Sequence, residues 1–320
     1  MKHAVYLSQW LNSYPSGRDN LVKALEAKGF NPVFLDDTKL NDRERWTGDV
    51  WARDYMPIQI DSKTLVTYNY RPNYLTRDYL RGVLEEKKVE EYIDSRTRTE
   101  DVLIYVTKHF PDYEIRHTDL VLDGGNVVLC GDEAVILTNK VFSENQNLSQ
   151  KEVLDELKKV FPGKHVIIIP WIQYPLDFKK KKEFLTEKEF NQIDHYGHAD
   201  GFIQYIGKGE VLLYTDREGE YPQPFDAIKW VLKENGFTVH ELNMNKGGQN
   251  SWCYINFLRV SDGDKEYIFM PKTKCEADFL KAYNTISKAF EGKVCEIVPV
   301  DLGSIPDKGG ALHCITWEVY

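Results

Sequence analysis

Hydrophobic and polar residues follow two different periods along the chain, and the changes of period predict its secondary structure. Apolar positions recur at helical spacing within Ser16–Lys28. Short apolar runs, Val5–Leu7 and Pro32–Leu35, lie on either side of this segment. Gly29 and Pro32 mark the end of the helical pattern. The chain is therefore predicted to open with a strand, a helix and a strand.

The rest of the chain repeats the order of two strands, a helix and a strand. No Pro/Ser-rich linker or low-complexity tract divides it, so we expect one domain, residues 1–320, built of five ββαβ modules around a centre. The further predicted strands are Met56–Ile60, Thr64–Asn69, Leu120–Leu122, Asn126–Leu129, Ala134–Thr138, Val166–Pro170, Gly201–Ile206, Val211–Tyr214, Phe237–Leu242, Trp252–Val260, Glu266–Met270 and Val294–Pro299. The further predicted helices are 74–95, Thr99–Phe110, Gln150–Val160, Phe225–Asn235 and Asp278–Phe290.

Charge and cysteine usage narrow the function classes. A net charge of -9 argues against nucleic-acid binding, and Lys179–Lys182 is expected to be a solvated charge run. The N-terminus lacks a secretion-signal pattern, and no apolar stretch is long enough to span a membrane. The five cysteines are scattered, with no C-x-x-C pair, so neither a disulfide framework nor a zinc knuckle is expected. A reduced, cytoplasmic setting fits best.

The first of four chemical motifs is Asp49–Pro57, which comes directly before a predicted strand. It combines Trp51 and Arg53 with two acidic residues, of which Asp54 lies next to the arginine. The plain alternative is a helix end on which Arg53 and Asp54 form a surface ion pair, a contact that contributes little energy.

The second motif is Leu122–Asn126, in which two consecutive glycines separate apolar strands and indicate a sharp bend. Asp123 and Asn126 flank the glycines, and both residue types are ordinary turn formers. Turn chemistry and a functional role explain these residues about equally well.

The third motif, His195–Gly201, contains two histidines and an aspartate. In a strand, His198 and Asp200 would project from the same face, because alternate residues do so. Only His195 offers an obvious third metal ligand, and the spacing fits no standard zinc helix motif, so acid–base chemistry is favoured over a metal site. A buried, hydrogen-bonded core histidine is the other alternative.

The fourth motif is the C-terminal segment Lys308–Tyr320. Two glycines lead into a short apolar stretch that holds Cys314, with His313 beside it. A free cysteine taken alone is more often an inert core thiol than a nucleophile. The other motifs favour the nucleophile, because thiolate, imidazole and carboxylate are the groups of covalent catalysis.

The four motifs hold more carboxylates than one nucleophile requires. A single carboxylate suffices to orient a catalytic histidine, yet Asp54, Asp123 and Asp200 are all candidates. Carboxylates that converge beside a thiolate repel one another unless a cation lies between them. A guanidinium ion meets that need, because it is planar, permanently charged and offers forked donors. A cysteine peptidase is disfavoured, since it would need oxyanion donors and one carboxylate.

In order and content, the motifs resemble those of the guanidine-modifying pentein superfamily, and most of all its branch of agmatine deiminases and Porphyromonas-type peptidyl-arginine deiminases. Trp51–Pro57 matches W-x-R-D-x-x-P, Leu122–Asn126 matches E-G-G-N/S, Gly197–Gly201 matches G-H-x-D, and Gly309–Thr316 matches G-G-x-x-H-C-I-T. The resemblance implies an α/β fold, a five-bladed α/β propeller, which agrees with the five predicted modules.

The resemblance also implies a role for each matched residue. Cys314 would attack the guanidinium carbon, and His198 would protonate the departing ammonia and then activate water. Asp54 and Asp200 would hold the guanidinium nitrogens, and neither a metal nor an organic cofactor is implied. The substrate pocket would be lined by Trp51, Arg53, Asp123 (where the family usually has Glu), Asn126 and Asn256.

The function that follows from the resemblance is hydrolysis of agmatine to N-carbamoylputrescine and ammonia through a covalent thiouronium intermediate, a reaction of polyamine metabolism. The expected partner is thus a small cationic guanidine, with neither nucleic acid nor membrane, and a homo-oligomer is left open. Alternatives are deimination of free or peptidyl arginine to citrulline, amidino transfer, and a non-catalytic pentein that binds a partner. The missing secretion signal favours agmatine over a secreted protein-arginine deiminase.

Overall fold

The computed structural model of the protein describes residues 2–35, 50–71, 97, 99–172, 197–219, 223–248 and 250–320. The predicted helix 74–95, the charge run Lys179–Lys182 and His195 lie outside the described residues. No helix in the described ranges combines the length and the apolar character needed to cross a membrane.

Within the described residues, fifteen strands form five three-stranded sheets. The sheets have the strand orders β15-β1-β2, β3-β4-β5, β6-β7-β8, β9-β10-β11 and β12-β13-β14. The strands are β1 (Ala4–Ser8), β2 (Val33–Leu35), β3 (Ile58–Asp61), β4 (Thr64–Asn69), β5 (Glu114–Val121), β6 (Val128–Cys130), β7 (Ala134–Thr138), β8 (His165–Ile169), β9 (Ile203–Gly207), β10 (Glu210–Thr215), β11 (Thr238–Asn243), β12 (Leu258–Ser261), β13 (Glu266–Lys272), β14 (Cys295–Asp301) and β15 (Thr316–Val319).

The described helices include one or two in each connection between the second and third strand of a sheet. Since those two strands are parallel, the chain needs such a crossover to return to the end of the sheet at which the second strand began. The α-helices are α1 (Pro15–Glu26), α2 (Ala52–Tyr55), α3 (Thr99–His109), α4 (Lys140–Glu144), α5 (Gln150–Val160), α6 (Phe225–Glu234) and α7 (Glu276–Ala289).

All five sheets have the same connectivity. The first and second strands pair antiparallel and the second and third pair parallel, as in β3-β4-β5. In the sheet β15-β1-β2, the first strand, β15, lies at the other end of the sequence and pairs antiparallel with β1, which pairs parallel with β2. The predicted ββαβ order is therefore confirmed in five copies, one of which joins the two ends of the described chain.

The first strands of the five sheets surround a common cavity of about 390 Å³. Each of these strands contributes side chains to its wall, among them Ile58, Val128, Gln204, Val260 and Trp317. The segments that lead into the first strands are consequently brought close to one another, although they lie far apart in the sequence.

Local sequence explains the most clearly defined elements. Helix α5 begins with a capping box, in which Ser149 and Glu152 exchange side-chain to backbone hydrogen bonds. It buries Val153, Leu157 and Val160, which recur at helical spacing. In its sheet, the middle strand β7 has no exposed residue, which requires that both faces of the sheet are covered at this strand.

Two predicted strands differ from the structure. Strand β5 begins at Glu114, six residues before the predicted start at Leu120. The prediction missed its first half because that half is polar and lacks the apolar alternation that marks a strand. The first half of the predicted strand Trp252–Val260 is wrong, since Ser251–Ile255 form a 3-10 helix and β12 begins only at Leu258.

Candidate active site

The candidate residues occupy equivalent places in the five modules, each just before a first strand. Asp54 lies four residues before β3, and Cys314 lies two residues before β15. The other three segments are short 3-10 helices with their flanking residues: Gly124–Asn126 precedes β6, Ala199–Gly201 precedes β9 and Ser251–Ile255 precedes β12. Contacts between their side chains bring the five segments together. Of the candidate residues in the described ranges, only Arg53 lines the cavity between the first strands.

Cys314 is held by its backbone and by the strand that follows it. Its amide donates to Oδ1 of Asn256 at 3.2 Å, and its carbonyl oxygen accepts from the amide of Arg53 at 3.1 Å. Gly309, with φ 87°, ends a 3-10 helix in the left-handed conformation that glycine adopts readily. Gly310 packs directly on the ring of Trp51, where a side chain would not fit.

A carboxylate of Asp200 faces the Cys314 sulfur. Sγ lies 3.8 Å from Oδ2 of Asp200, and that oxygen also accepts from Nδ2 of Asn256 at 3.1 Å. Nδ1 of His313 lies 2.6 Å from the same oxygen. The carboxylate is thus fixed on one side and directed toward the thiol on another.

His198 lies between two further carboxylates. Nδ1 is 3.5 Å from Oδ1 of Asp54, and Nε2 is 3.1 Å from Oδ2 of Asp123. The ammonium group of Lys140 contacts the same Asp123 oxygen and lies 3.5 Å from Nε2 of His198. All four side chains are buried, with the Asp123 carboxyl group completely enclosed.

Gly125 marks the point at which these groups converge. A Cβ built on Gly125 would lie 2.6 Å from Oδ1 of Asp54, 2.9 Å from Nδ1 of His198 and 3.3 Å from Oδ1 of Asp200. The Gly125 amide donates to Oδ1 of Asp54 at 3.3 Å. Glycine is required here because a larger residue would collide with side chains from two other modules.

Burial and neighbouring charges set the ionisation of the thiol and the imidazole. Burial, followed by the Asp200 and Asp54 carboxylates, raises the pKa of Cys314 well above its ordinary value. Burial opposes the charged form of His198, but Asp54 and Asp123 outweigh it and raise the pKa of His198 to about 9. At neutral pH the free site therefore pairs a neutral thiol with an imidazolium.

The Asp200 carboxyl group stays ionised although it is buried. Burial alone would raise its pKa, but the hydrogen bond from His313, together with the charges of His313, His198 and Arg53, outweighs burial and holds the pKa of Asp200 below its usual value. A permanent negative charge therefore lies beside the Cys314 thiol.

The structure corrects the local geometry expected for the third motif. His198 and Asp200 do not lie on a strand, because residues Ala199–Gly201 form a 3-10 helix that begins after His198. Asn256 likewise ends a 3-10 helix rather than lying within a strand. Asn126, expected at the start of a strand, ends the helix Gly124–Asn126. The tight turns are favoured because each segment must point side chains inward and then enter a first strand.

The remaining candidate residues contact other parts of the protein. The guanidinium of Arg53 forms an ion pair with Glu318 of β15, not the surface pair with Asp54 weighed from the sequence. Oδ1 of Asn126 accepts from the amide and hydroxyl of Thr138, both at 3.0 Å, and from the amide of Ala199 at 3.2 Å. These bonds join the second and third motifs to the end of β7.

Lys140 and Glu144 belong to the site although sequence reasoning did not single them out. Lys140 is the first residue of α4, and its Nζ lies 2.7 Å from Oε1 of Glu144 one helical turn later. The four-residue spacing of opposite charges was visible in the sequence. The spacing alone did not indicate that the Lys140 and Glu144 side chains are buried, because burial depends on tertiary packing. Among the described residues, no group of three His, Cys, Asp or Glu side chains is arranged to hold a metal ion.

Comparison with known proteins places these motifs in a family. The model of the Porphyromonas-type peptidyl-arginine deiminase family matches residues 40–319. A Listeria monocytogenes protein named "Putative agmatine deiminase 1" is 25% identical over 239 residues, which are 64% of this chain and 59% of that protein. The chain thus spans less than two thirds of the length of this relative.

Solved structures share the α/β fold. A substrate-bound cysteine-to-serine variant of C. jejuni agmatine deiminase superposes with a TM-score of 0.67 at 17% identity, covering 100% of this chain and 93% of that one. Agmatine deiminase of Enterococcus faecalis gives a TM-score of 0.66 at 17% identity, covering 99% and 93%. At this level of identity the likeness establishes the fold.

Proposed function

Because the chain belongs to the Porphyromonas-type peptidyl-arginine deiminase family, we propose that it is a cysteine-dependent hydrolase that releases ammonia from a guanidine. The observation that carries the proposal is the convergence of Asp54, His198 and Asp200 on Gly125, with the Cys314 sulfur 3.8 Å from the Asp200 carboxylate. A buried thiol, a basic imidazole and two buried carboxylates in one place suit a flat cationic carbon centre.

The carboxylates support a cationic substrate. Asp54 and Asp200 come from different modules and approach the Gly125 backbone from separate sides. Two such groups can each accept hydrogen bonds from guanidinium nitrogens. A compact ammonium ion lacks the planar, forked donors that would reach both carboxylates. Their field also selects against anionic substrates at the reacting carbon.

In the proposed reaction, the Cys314 sulfur attacks the guanidinium carbon and forms a C–S bond. His198 gives its proton to the departing nitrogen, the C–N bond breaks, and ammonia leaves a thiouronium intermediate. Water then attacks the same carbon, and of its two protons one passes to His198 and the other leaves to solvent. The C–S bond breaks, which releases the ureido product and the thiolate.

Substrate binding is proposed to form the thiolate. In the free site, burial and the Asp200 and Asp54 carboxylates raise the pKa of Cys314. A guanidinium ion held between those carboxylates would compensate their charge, so that the thiol loses its proton to solvent and becomes the thiolate. The nucleophile would thus be generated mainly in the complex, and His198 would already carry the proton that the leaving ammonia requires.

The other candidate residues have supporting roles in this proposal. Asn256 orients both the Cys314 amide and the Asp200 carboxylate. Asp123 holds the Nε2 proton of His198 and borders the substrate site. In this proposal the substrate site is lined by Trp51, Arg53 and Asn126.

We further propose that the five sheets are the blades of a single closed propeller domain. Three observations support this arrangement: the identical connectivity of the sheets, the cavity lined by all five first strands, and the pairing of β15 with β1. A propeller places the segments before the first strands at one end of the axis, where the candidate residues meet.

Agmatine is the first substrate to test, and N-carbamoylputrescine is its expected product. The experiment is a panel of agmatine, free arginine, peptidyl-arginine and methylated arginines, scored for both ammonia and ureido product. Turnover of arginine or a peptide in place of agmatine would assign the alternative deiminase activity. Transfer to an added amine without water consumption would assign amidino transfer.

Cys314→Ala and Cys314→Ser should abolish turnover while leaving the protein folded. Cys130→Ala is the matched control, since Cys130 is also a buried thiol but lies on β6 with its sulfur toward the Val128 carbonyl. The control should keep its activity. If no guanidine in the panel is turned over by the wild-type protein, the proposed function is wrong.

A further inference from the structure

Lys140 is a buried cation within the candidate site. Its side chain is 4% exposed, and its ammonium group contacts Oδ2 of Asp123, lies 2.7 Å from Oε1 of Glu144 and lies 3.5 Å from Nε2 of His198. Lysine is almost never fully buried unless it is paired. A lysine that contacts both the proposed acid–base histidine and that histidine's carboxylate partner calls for an explanation beyond packing.

We propose that Lys140 is a positioning residue, which fixes the Asp123 carboxylate against Nε2 of His198 and, with Glu144, controls how readily His198 gives up its proton. This inference rests on the proposed function for its catalytic meaning, but the arrangement of charges can be tested without any substrate. Lys140 is not proposed to touch the reacting atoms.

The first step is that Lys140 and His198 together keep Asp123 ionised. Asp123 is completely buried, and burial alone would favour the protonated acid. The Lys140 ammonium, together with His198, outweighs burial and lowers the pKa of Asp123 to about 2. An ionised Asp123 accepts the Nε2 hydrogen of His198, which fixes the ring and leaves Nδ1 directed at Asp54.

The second step is that Lys140 limits the basicity of His198. Three carboxylates face the imidazole: Asp54 from α2, Asp123 just before the 3-10 helix Gly124–Asn126, and Asp200, two residues after His198. The pair formed by Lys140 and Glu144 on α4 also faces it. The acidic groups favour the imidazolium, and Lys140 is the cation that opposes them. Without Lys140, the His198 imidazolium would still keep Asp123 ionised, and the repulsion that opposes the imidazolium would be lost. His198 would then hold its proton more tightly and would be a weaker acid toward departing ammonia.

The third step concerns Glu144, which competes for the same ammonium group. Burial and the Asp123 charge raise the pKa of Glu144 to about 7, although Lys140 acts in the opposite direction. When Glu144 is ionised it compensates part of the Lys140 charge. Removal of the Glu144 charge should therefore lower the affinity of His198 for its proton, and removal of the Lys140 charge should raise it.

The test is an NMR titration of the His198 ring in full-length protein labelled at histidine, with His198→Gln identifying the resonance. Lys140→Met should move the titration to higher pH by about one unit or more. Glu144→Gln should move it to lower pH, and Lys140→Arg, which keeps the charge, should stay near the wild type. Shifts of opposite sign cannot come from a purely structural role.

Lys164→Met is the matched control. The Lys164 side chain is 6% exposed, but its ammonium group donates to the Gly131 carbonyl in the β6–β7 turn and does not face His198. It should leave the His198 titration unchanged. Lys140→Met leaves the Asp123 and Glu144 charges without their lysine partner, which can prevent folding. In that case Glu144→Gln alone tests the proposal, and a His198 titration at the wild-type pH in that variant overturns it.

The role of Lys140 and the deiminase activity are tested by different measurements, so one can fail without the other. A protein that turns over no guanidine but shows the opposite shifts keeps the Lys140 assignment and loses the deiminase assignment. A protein that turns over a guanidine but shows no shifts keeps the deiminase assignment and loses that of Lys140. If both hold, the alkaline limb of the kcat/KM profile should move with the His198 titration in each variant.

Discussion

Nδ1 of His313 lies 2.6 Å from Oδ2 of Asp200, the same oxygen that faces the Cys314 sulfur at 3.8 Å. The residue next to the proposed nucleophile therefore fixes the carboxylate that the nucleophile faces. His313 was noted in the sequence only as the neighbour of Cys314. In the structure it connects the ionisation of Asp200 to the segment that carries the thiol.

Replacement of His313 by Ala should weaken the reaction without unfolding the protein. A hydrogen bond to a charged group contributes about 1.5–3 kcal/mol, so kcat/KM should fall roughly 10- to 100-fold. The measurement is steady-state kinetics on the substrate found in the panel. His165→Ala is the control, because His165 is an exposed histidine that contacts Asn235. Equal kinetics for both variants would contradict a role for the His313 contact.

Replacement of Gly125 by Ala should inactivate the protein. The added methyl group would lie 2.6 Å from Oδ1 of Asp54 and 2.9 Å from Nδ1 of His198, so both groups must move. A displacement of about 1 Å at a reacting group can lower the rate roughly 100-fold. Overpacking should also cost about 1–3 kcal/mol of unfolding free energy. Activity and a urea melt measure the two effects.

Gly201→Ala is the matched control for this prediction. Gly201 belongs to the third motif, yet a Cβ at this position would meet no atom within 4 Å and its φ lies outside the left-handed region. The variant should retain activity and stability. Full activity of Gly125→Ala would mean that Asp54 and His198 do not need the positions that they occupy here.

The elements that the sequence predicted best are those with strong local signals. Gln150–Val160 is a helix with the predicted bounds, because the capping residue, the apolar period and the stop all lie within the segment. The strand pairs around tight turns, such as β9 and β10, were also recognised. These signals depend on near neighbours in the chain, so tertiary packing reinforces them rather than overriding them.

The parts that could not be predicted depend on packing between modules. His198 and Asp200 are next to Asp54 because three short segments meet, whereas the expected strand with both side chains on one face does not form. Lys140 had no signal beyond its spacing from Glu144, since burial of an ion pair is decided by elements far away in the sequence. The motifs identified which residues meet, and the fold determined how.

Stability should fall as the pH rises from about 6.5 to 9. The pKa of His198 is raised to about 9 from an unfolded value near 6.5. A raised pKa stabilises the folded state fully below the unfolded value, and this contribution is lost as the pH passes through the folded value. The loss is roughly 3 kcal/mol at most. Glu144 acts in the same direction but at lower pH: its pKa is raised from 4.5 to about 7, so its contribution is lost as the pH rises from about 4.5 to 7.

Urea denaturation at a series of pH values measures this dependence. His198→Asn removes the titrating ring and should give a flatter profile, even if its stability is lower at every pH. Alkaline destabilisation of equal size in the variant and the wild type would assign the effect to other groups. On the acid side, the low pKa of Asp123, about 2, means that its contribution is lost only as the pH falls from about 4 toward 2.

The ion pair between Arg53 and Glu318 should stabilise the junction between the module that begins with β3 and the one that begins with β15. Their side chains are only 14% and 20% exposed, and the Arg53 charge, acting against burial, lowers the pKa of Glu318. Removal of one partner leaves a buried charge uncompensated, which typically costs about 3–5 kcal/mol. Arg53→Met and Glu318→Leu should therefore each lower the unfolding free energy substantially.

The double variant separates this structural role from the substrate contact that the sequence predicted for Arg53. If the pair acts mainly within the fold, Arg53→Met combined with Glu318→Leu should cost less than the sum of the single variants, because neither charge is then left alone. KM should change equally little in both single variants. A raised KM in Arg53→Met but not in Glu318→Leu, with additive stability losses, would instead show that Arg53 acts on the substrate.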